Sequence, residues 1–116
     1  MIVRKAKPED ASRLSELYTQ LVNNPAVKVE PEQIQALYDN ARSKLFVCDY
    51  QANVVGSALV SLCSDVMFRK QPFAVVENVI VDASNDLQKR LCNARLATNF
   101  WRLWRALGAK AEWSSY

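Results

Sequence analysis

Phe73-Ala74-Val75-Val76-Glu77-Asn78-Val79-Ile80-Val81 decides the fold class. Its β-branched, nearly continuous apolar character and its length of nine residues predict a central strand covered on both faces. Lys70-Gln71-Pro72 supplies the turn before it. Upstream lie two more β-rich runs, Leu45-Phe46-Val47-Cys48 and Val54 to Leu62, separated by Asp49-Tyr50-Gln51-Ala52-Asn53. Those five residues suit a hairpin loop, with Asn53 expected to take the left-handed conformation.

Before these runs the apolar period is that of a helix. Ala11, Leu14, Leu17, Tyr18, Leu21 and Val22 recur at helical spacing, with Arg13, Glu16 and Gln20 on the other side. Pro8-Glu9-Asp10 starts this helix: the proline suits a first turn, and the acids suit the positive end of the helix dipole. Asn23-Asn24-Pro25 ends it. A second helix begins at Glu30-Pro31-Glu32 and carries a buried stripe of Ile34, Leu37, Tyr38 and Ala41. Ile2 to Ala6 reads as an opening strand.

Downstream, Leu87 to Leu107 predicts a long helix. One face carries Leu96, Phe100, Leu103, Trp104 and Leu107, and the opposite one Arg95, Asn99, Arg102 and Arg105. Gly108 is placed to stop it, and Ala109 to Ser114 forms a last short strand. The expected order is β-α-α-β-β-β-α-β. This is an α/β (α+β) domain over 1–116, a mixed, largely antiparallel sheet with flanking helices.

Composition narrows the chemistry. The chain of 116 residues contains no histidine, so Ser-His-Asp and Cys-His catalysis and histidine metal sites are excluded. Any acid or base must be carboxylate, tyrosine, cysteine, lysine or water. Cys48, Cys63 and Cys92 are an odd number without a close pair, which suggests neither a disulfide framework nor a zinc site, and they read as small buried hydrophobes in a reducing, cytoplasmic setting. The start, Met1-Ile2-Val3-Arg4-Lys5, turns polar at once, unlike a signal peptide, and no apolar run approaches the roughly 20 residues that span a bilayer. A net charge of +3 is too small to argue for nucleic acid.

Glu77 is the sharpest candidate for chemistry, because a carboxylate within Val75-Val76-Glu77-Asn78-Val79 is costly to bury unless it is paired or used. The bland alternative is a glutamate that faces solvent at a sheet splay or pairs with an arginine. Trp101-Arg102-Leu103-Trp104-Arg105 mixes aromatic and basic residues, as a nucleic-acid binder would, yet the tryptophans fall on or beside the apolar face and the arginines opposite. Core packing with a wet basic edge is the preferred account.

The order and lengths resemble the GNAT family of N-acetyltransferases, from the first strand to the fifth. Ile2-Val3-Arg4-Lys5-Ala6-Lys7-Pro8-Glu9-Asp10 is similar to that family's opening, and Val54-Val55-Gly56 to the start of its third strand. Val76 to Ser84 resembles its fourth strand and the loop into the cofactor helix, and Leu107-Gly108-Ala109-Lys110 the handover to strand five. The resemblance implies transfer of acetyl from acetyl-CoA to an amine, small-molecule or protein, by direct attack in a ternary complex. It implies Glu77 as the base, Val79 and Val81 as backbone contacts to the pantetheine arm, and Lys89 and Arg90 as phosphate contacts, with no metal.

Two departures from the family pattern stand out. The stretch Asn85 to Ala94 lacks the Gln/Arg-x-x-Gly-x-Gly/Ala signature that lets backbone approach the pyrophosphate. Arg90-Leu91-Cys92-Asn93-Ala94 can be encoded as CGG CTT TGC AAC GCG, which one base later reads Gly-Phe-Ala-Thr, so a frameshift would account for the loss. The helix as written is properly amphipathic, however, which favours divergence. The second departure is the end, at Glu112-Trp113-Ser114-Ser115-Tyr116, where the family continues. The expectation is a truncated domain that pairs as a homodimer across the open sheet edge. The rival to an acetyltransferase is a degenerate, non-catalytic binding or assembly module with this fold.

Overall fold

The structure, a computed structural model, describes residues 2–63, 73–82, 90–92 and 94–98. Four strands, β1 (Ile2–Lys5), β2 (Ser43–Tyr50), β3 (Asn53–Cys63) and β4 (Phe73–Val81), form one antiparallel sheet in the order β1-β2-β3-β4. Two helices, α1 (Ala11–Val22) and α2 (Pro31–Asp39), connect β1 to β2. Residues 90–92 and 94–98 are helical and are called α3. The fold is the expected mixed α+β one. The predicted last strand, 109–114, lies outside the described residues, as does most of the predicted 87–107 helix.

Pro8–Asp10 is a single 3-10 turn that leads into α1. Asp10 earns its place there by what it accepts: both Arg4 terminal nitrogens donate to its oxygens at 2.8 and 2.9 Å, and the Lys7 N–H donates at 2.8 Å. Burial pushes the Asp10 carboxyl up, but these bonds outweigh burial and hold it below its ordinary value. Asn23 closes α1 in the left-handed conformation, at φ 46°, with its N–H on Thr19 O at 2.9 Å.

Alternation sends β-strand side chains to two faces. On the first face Leu45, Val47 and Val54 meet Leu14 and Leu17 of α1 and Ile34 of α2. Each of those three helical side chains is essentially fully buried, worth about 1.5–3 kcal/mol apiece by apolar transfer. On the second face Cys48, Val55, Ala58 and Val81 meet Cys92 and Leu96 of α3. Cys92 and Leu96, four residues apart, define the buried stripe of α3, while Arg95 is exposed.

Four sequence expectations need correction. The β2–β3 hairpin turns on two residues rather than five, with Tyr50 paired to Asn53. The left-handed conformation falls on Gln51 (φ 51°) and Ala52 (φ 61°), not Asn53, because a two-residue turn matched to strand twist needs positive φ at both central positions. The second helix stops at Asp39 and does not reach Ala41. Asn40 is extended there, and its side-chain oxygen accepts from Arg42 N (2.7 Å) and Ser43 N (2.9 Å), turning the chain into β2. Tyr38 and Ala41 are therefore exposed rather than buried.

Finally, β4 is not covered on both faces. Among the described residues it is the sheet's edge, and Phe73, Val76 and Val79 are 47, 40 and 45% exposed. Among the described residues, no helix is long and apolar enough to cross a membrane, and no three His, Cys, Asp or Glu side chains are grouped to hold a metal ion.

Candidate active site

The site is built around a defect in β4. Ser57 pairs with Ile80 and Leu59 with Glu77, so that Asn78 and Val79 together oppose the single residue Ala58. This is a β-bulge, and Asn78 carries it at φ 53°. Asparagine tolerates that conformation better than the valines around it. The bulge leaves ladder positions unpaired and resets the alternation, so that Glu77 and Ile80, three residues apart, are both registered to the first face. The outer edge of β4 carries no strand among the described residues.

Beside the bulge on the first face lies a groove of about 430 Å³. Tyr18 and Leu21 of α1, Ile34 and Leu37 of α2, Leu59 of β3 and Asn78 of β4 line it. The segment between the helices adds a further wall that includes Lys28 and Val29. Ser15 Oγ accepts from Val29 N at 3.1 Å and holds that segment against α1. The Ser57 hydroxyl, beside Tyr18, donates to Phe46 O at 3.0 Å. Burial pushes the Tyr18 phenol up, and Ser57 offsets part of that.

Arg13 fixes the exit of β4. Its Nε donates to Val54 O at 2.8 Å, one terminal nitrogen to Glu16 at 2.9 Å, and the other to Asp82. Burial alone would lower the Arg13 value, but the two carboxylates outweigh it and keep the guanidinium charged. Asp82 N donates to Val55 O at 2.8 Å, which extends the pairing just past β4. One α1 side chain thus ties the helix to β3 and to the residue where β4 ends.

The sequence-predicted site residues fall into place unevenly. Glu77 is exposed, which removes the premise of a costly burial. Its register opposite Leu59 nevertheless puts it on the groove face, next to Asn78. Val79 is part of the bulge, and Val81, 8% exposed, ends β4 with its side chain in the second core. Arg90 is exposed in α3, while Lys89 lies outside the described residues. Glu77 and Val79 are thus brought together at the bulge, and Arg90 sits apart on another element.

Sequence reasoning missed Asn78, the groove and the Arg13–Asp82 tie. For Asn78 a signal existed, a lone turn-forming residue inside an apolar strand. The groove gave none, because its walls come from six separate stretches of chain.

The sequence matches no family model and no curated protein. Solved structures do match. An acetyltransferase from Trypanosoma brucei superposes with a TM-score of 0.76 at 23% identity, over 98% of this chain and 82% of that one. An aminoglycoside acetyltransferase from an uncultured soil metagenomic sample gives 0.75 at 14% identity, over 99% and 76%. An acetyltransferase from Vibrio fischeri gives 0.70 at 15%, over 95% and 91%. At these identities the likeness is one of fold.

Proposed function

Starting from a chain with the GNAT acetyltransferase fold, we propose that it transfers acetyl from acetyl-CoA to an amine by direct attack. The observation that carries this reading is the bulge at Asn78–Val79, beside a groove on one side and, on the other, a strand edge that carries no partner among the described residues. Acetyl-CoA, as co-substrate, would supply a thioester carbonyl for the amine to attack: the C–N bond forms, the C–S bond breaks, and coenzyme A leaves as a thiolate that takes up the proton the nitrogen sheds on becoming an amide. The outer edge of β4, unpaired among the described residues, suits its amide-bearing arm, with Val79 and Val81 offering main-chain groups.

The residues of this chain then have distinct tasks. Glu77 takes the proton that the acceptor ammonium must lose before its lone pair can react. Its exposure suits transfer through water. The groove orients the rest of the acceptor. Arg13 is a positioning residue that holds the end of β4 through Asp82. Lys89 and Arg90 offer positive charge for the phosphates, although Asn85 to Ala94 contains no glycine.

That lack of glycine is the observation that favours the rival reading, a non-catalytic module with this fold, in which the incomplete sheet edge pairs with a second copy of the chain. Calorimetry with acetyl-CoA separates the two. Saturable binding at micromolar cofactor is expected, and no binding at millimolar cofactor ends the enzyme reading.

A further inference from the structure

We infer that the acceptor is a monoamine with an apolar aliphatic or aromatic body, and not a polycation such as a polyamine or aminoglycoside. This rests on the acyl-transfer reading above and follows from the chemistry of the groove. Its walls are mostly aliphatic. The polar side chains that line it, among the described residues, are those of Tyr18, Lys28, Gln33 and Asn78. None of these is a carboxylate, and Lys28 is a cation. Glu30, the acid near Lys28, is already engaged with it at 3.2 Å.

A polycation placed here would set its additional ammonium groups against leucine, valine and isoleucine, with no carboxylate among the lining side chains. An ammonium taken from water without a paired carboxylate costs several kcal/mol. A monoamine meets no such penalty. Its single nitrogen lies at the Asn78 end, next to Glu77, and its body covers apolar surface that the free chain leaves in water. Leu21 and Val22, 42 and 55% exposed, line the groove and are the surface so covered. Covering apolar area contributes roughly 25 cal/mol per Å². A volume of about 430 Å³ lies at the small end for ligand sites, which suits a body of one ring or a short alkyl chain.

The test is a titration of the chain with 2-phenylethylamine, n-hexylamine and spermidine, followed by calorimetry with and without coenzyme A. Both apolar amines are expected to bind at least about tenfold more tightly than spermidine. Leu21→Asp, a change at an exposed position, is expected to shrink or reverse that preference while leaving the melting temperature nearly unchanged. Spermidine binding as tightly as the apolar amines, or no amine binding at millimolar concentration under either condition, overturns the inference. Acetyl-CoA binding without amine preference defeats this inference and spares the acyl-transfer reading. Amine preference in a chain that never binds acetyl-CoA does the reverse.

Discussion

The two faces of the sheet are packed on opposite principles, although one strand, β3, serves both. On the α3 face its side chains are Val55, Gly56 and Ala58, and the facing residues Cys48 and Cys92 are equally small. On the α1/α2 face it presents Ser57 and Leu59 to a layer of leucine, isoleucine and tyrosine. Small residues let α3 approach until there is no room left. A Cβ on Gly56 would overlap Cys92 Sγ and stand 3.1 Å from Ile80 O. Cys48 Sγ donates to Cys92 O at 3.7 Å, and the Cys92 sulfur beside it together with burial pushes the Cys48 thiol well up, so it stays protonated. Larger residues on the other face cannot fill every gap between two helices and a bulged strand, and the groove is what they leave. The proposed division of labour follows from that contrast: both faces bury a core, but one is closed by small residues in close approach, and the other, which leaves the groove, is the one proposed for chemistry.

The most severe way to break that comparison is Glu77→Gln. If the groove face carries chemistry, kcat should fall by about 10² to 10⁴, the range for loss of a general base. Acetyl-CoA affinity and the denaturant midpoint should both stay put, because Glu77 is exposed. A variant with full activity would strip the groove face of its catalytic role. A fall in stability would show that the faces do not divide the work as described.

Next in size are two neighbours on β3 that point to opposite faces. Gly56→Ala forces Cys92 or the backbone to move, and overpacking of this kind costs about 1–3 kcal/mol. Adding Cys92→Ala, which removes the obstructing sulfur, should recover part of the loss. Ser57→Ala, one residue along, deletes a hydroxyl between Tyr18 and Phe46 O and should cost about 1 kcal/mol. Urea midpoints decide the matter. Equal losses, or no rescue by Cys92→Ala, would mean that the α3 face is not the tighter one.

A pH series sharpens the account of how the α1/α2 layer is held. The native Asp10 carboxyl lies below its ordinary value of 3.8, so its contribution is present in full above that value and is lost as pH falls through the lower native one. Asp10→Asn should lower stability by about 1–2 kcal/mol at neutral pH. The gap between the two proteins should close below pH 3.8. A gap that widened toward acid would contradict the sign of the shift.

How much of this was legible in the sequence depends on whether a feature is local. The Pro8-Glu9-Asp10 start, the α1 stop at Asn23 and the strand runs were legible, because capping and periodicity act within a few residues. Asn40 ended α2 two residues before the expected Ala41 through a side-chain bond that periodicity does not register. The Val-rich β4 is not covered on both faces as its composition suggests, since composition reports what a strand can bury and not what packs against it. The bulge at Asn78 exists only in the count of residues between two β3–β4 pairs, which no single strand contains. Glu77 was singled out for a burial it does not have, yet register puts it beside the groove.

The smallest effect belongs to a change that touches neither face. Gln51 and Ala52 turn the β2–β3 hairpin with positive φ, where a Cβ is unfavourable. Both residues are exposed, and the conformation persists because the pairing of Tyr50 with Asn53 leaves only two residues to reverse the chain. Ala52→Gly removes the Cβ penalty but gives the unfolded chain more freedom, so the two terms oppose each other. The steric gain should win by about 0.5–1 kcal/mol, seen as a higher urea midpoint with acetyl-CoA affinity unchanged. A loss of stability would show that the turn relaxes to another type when its side chain is gone. The hairpin would then be set by Ala52 itself and not by the strands that the two faces hold in register.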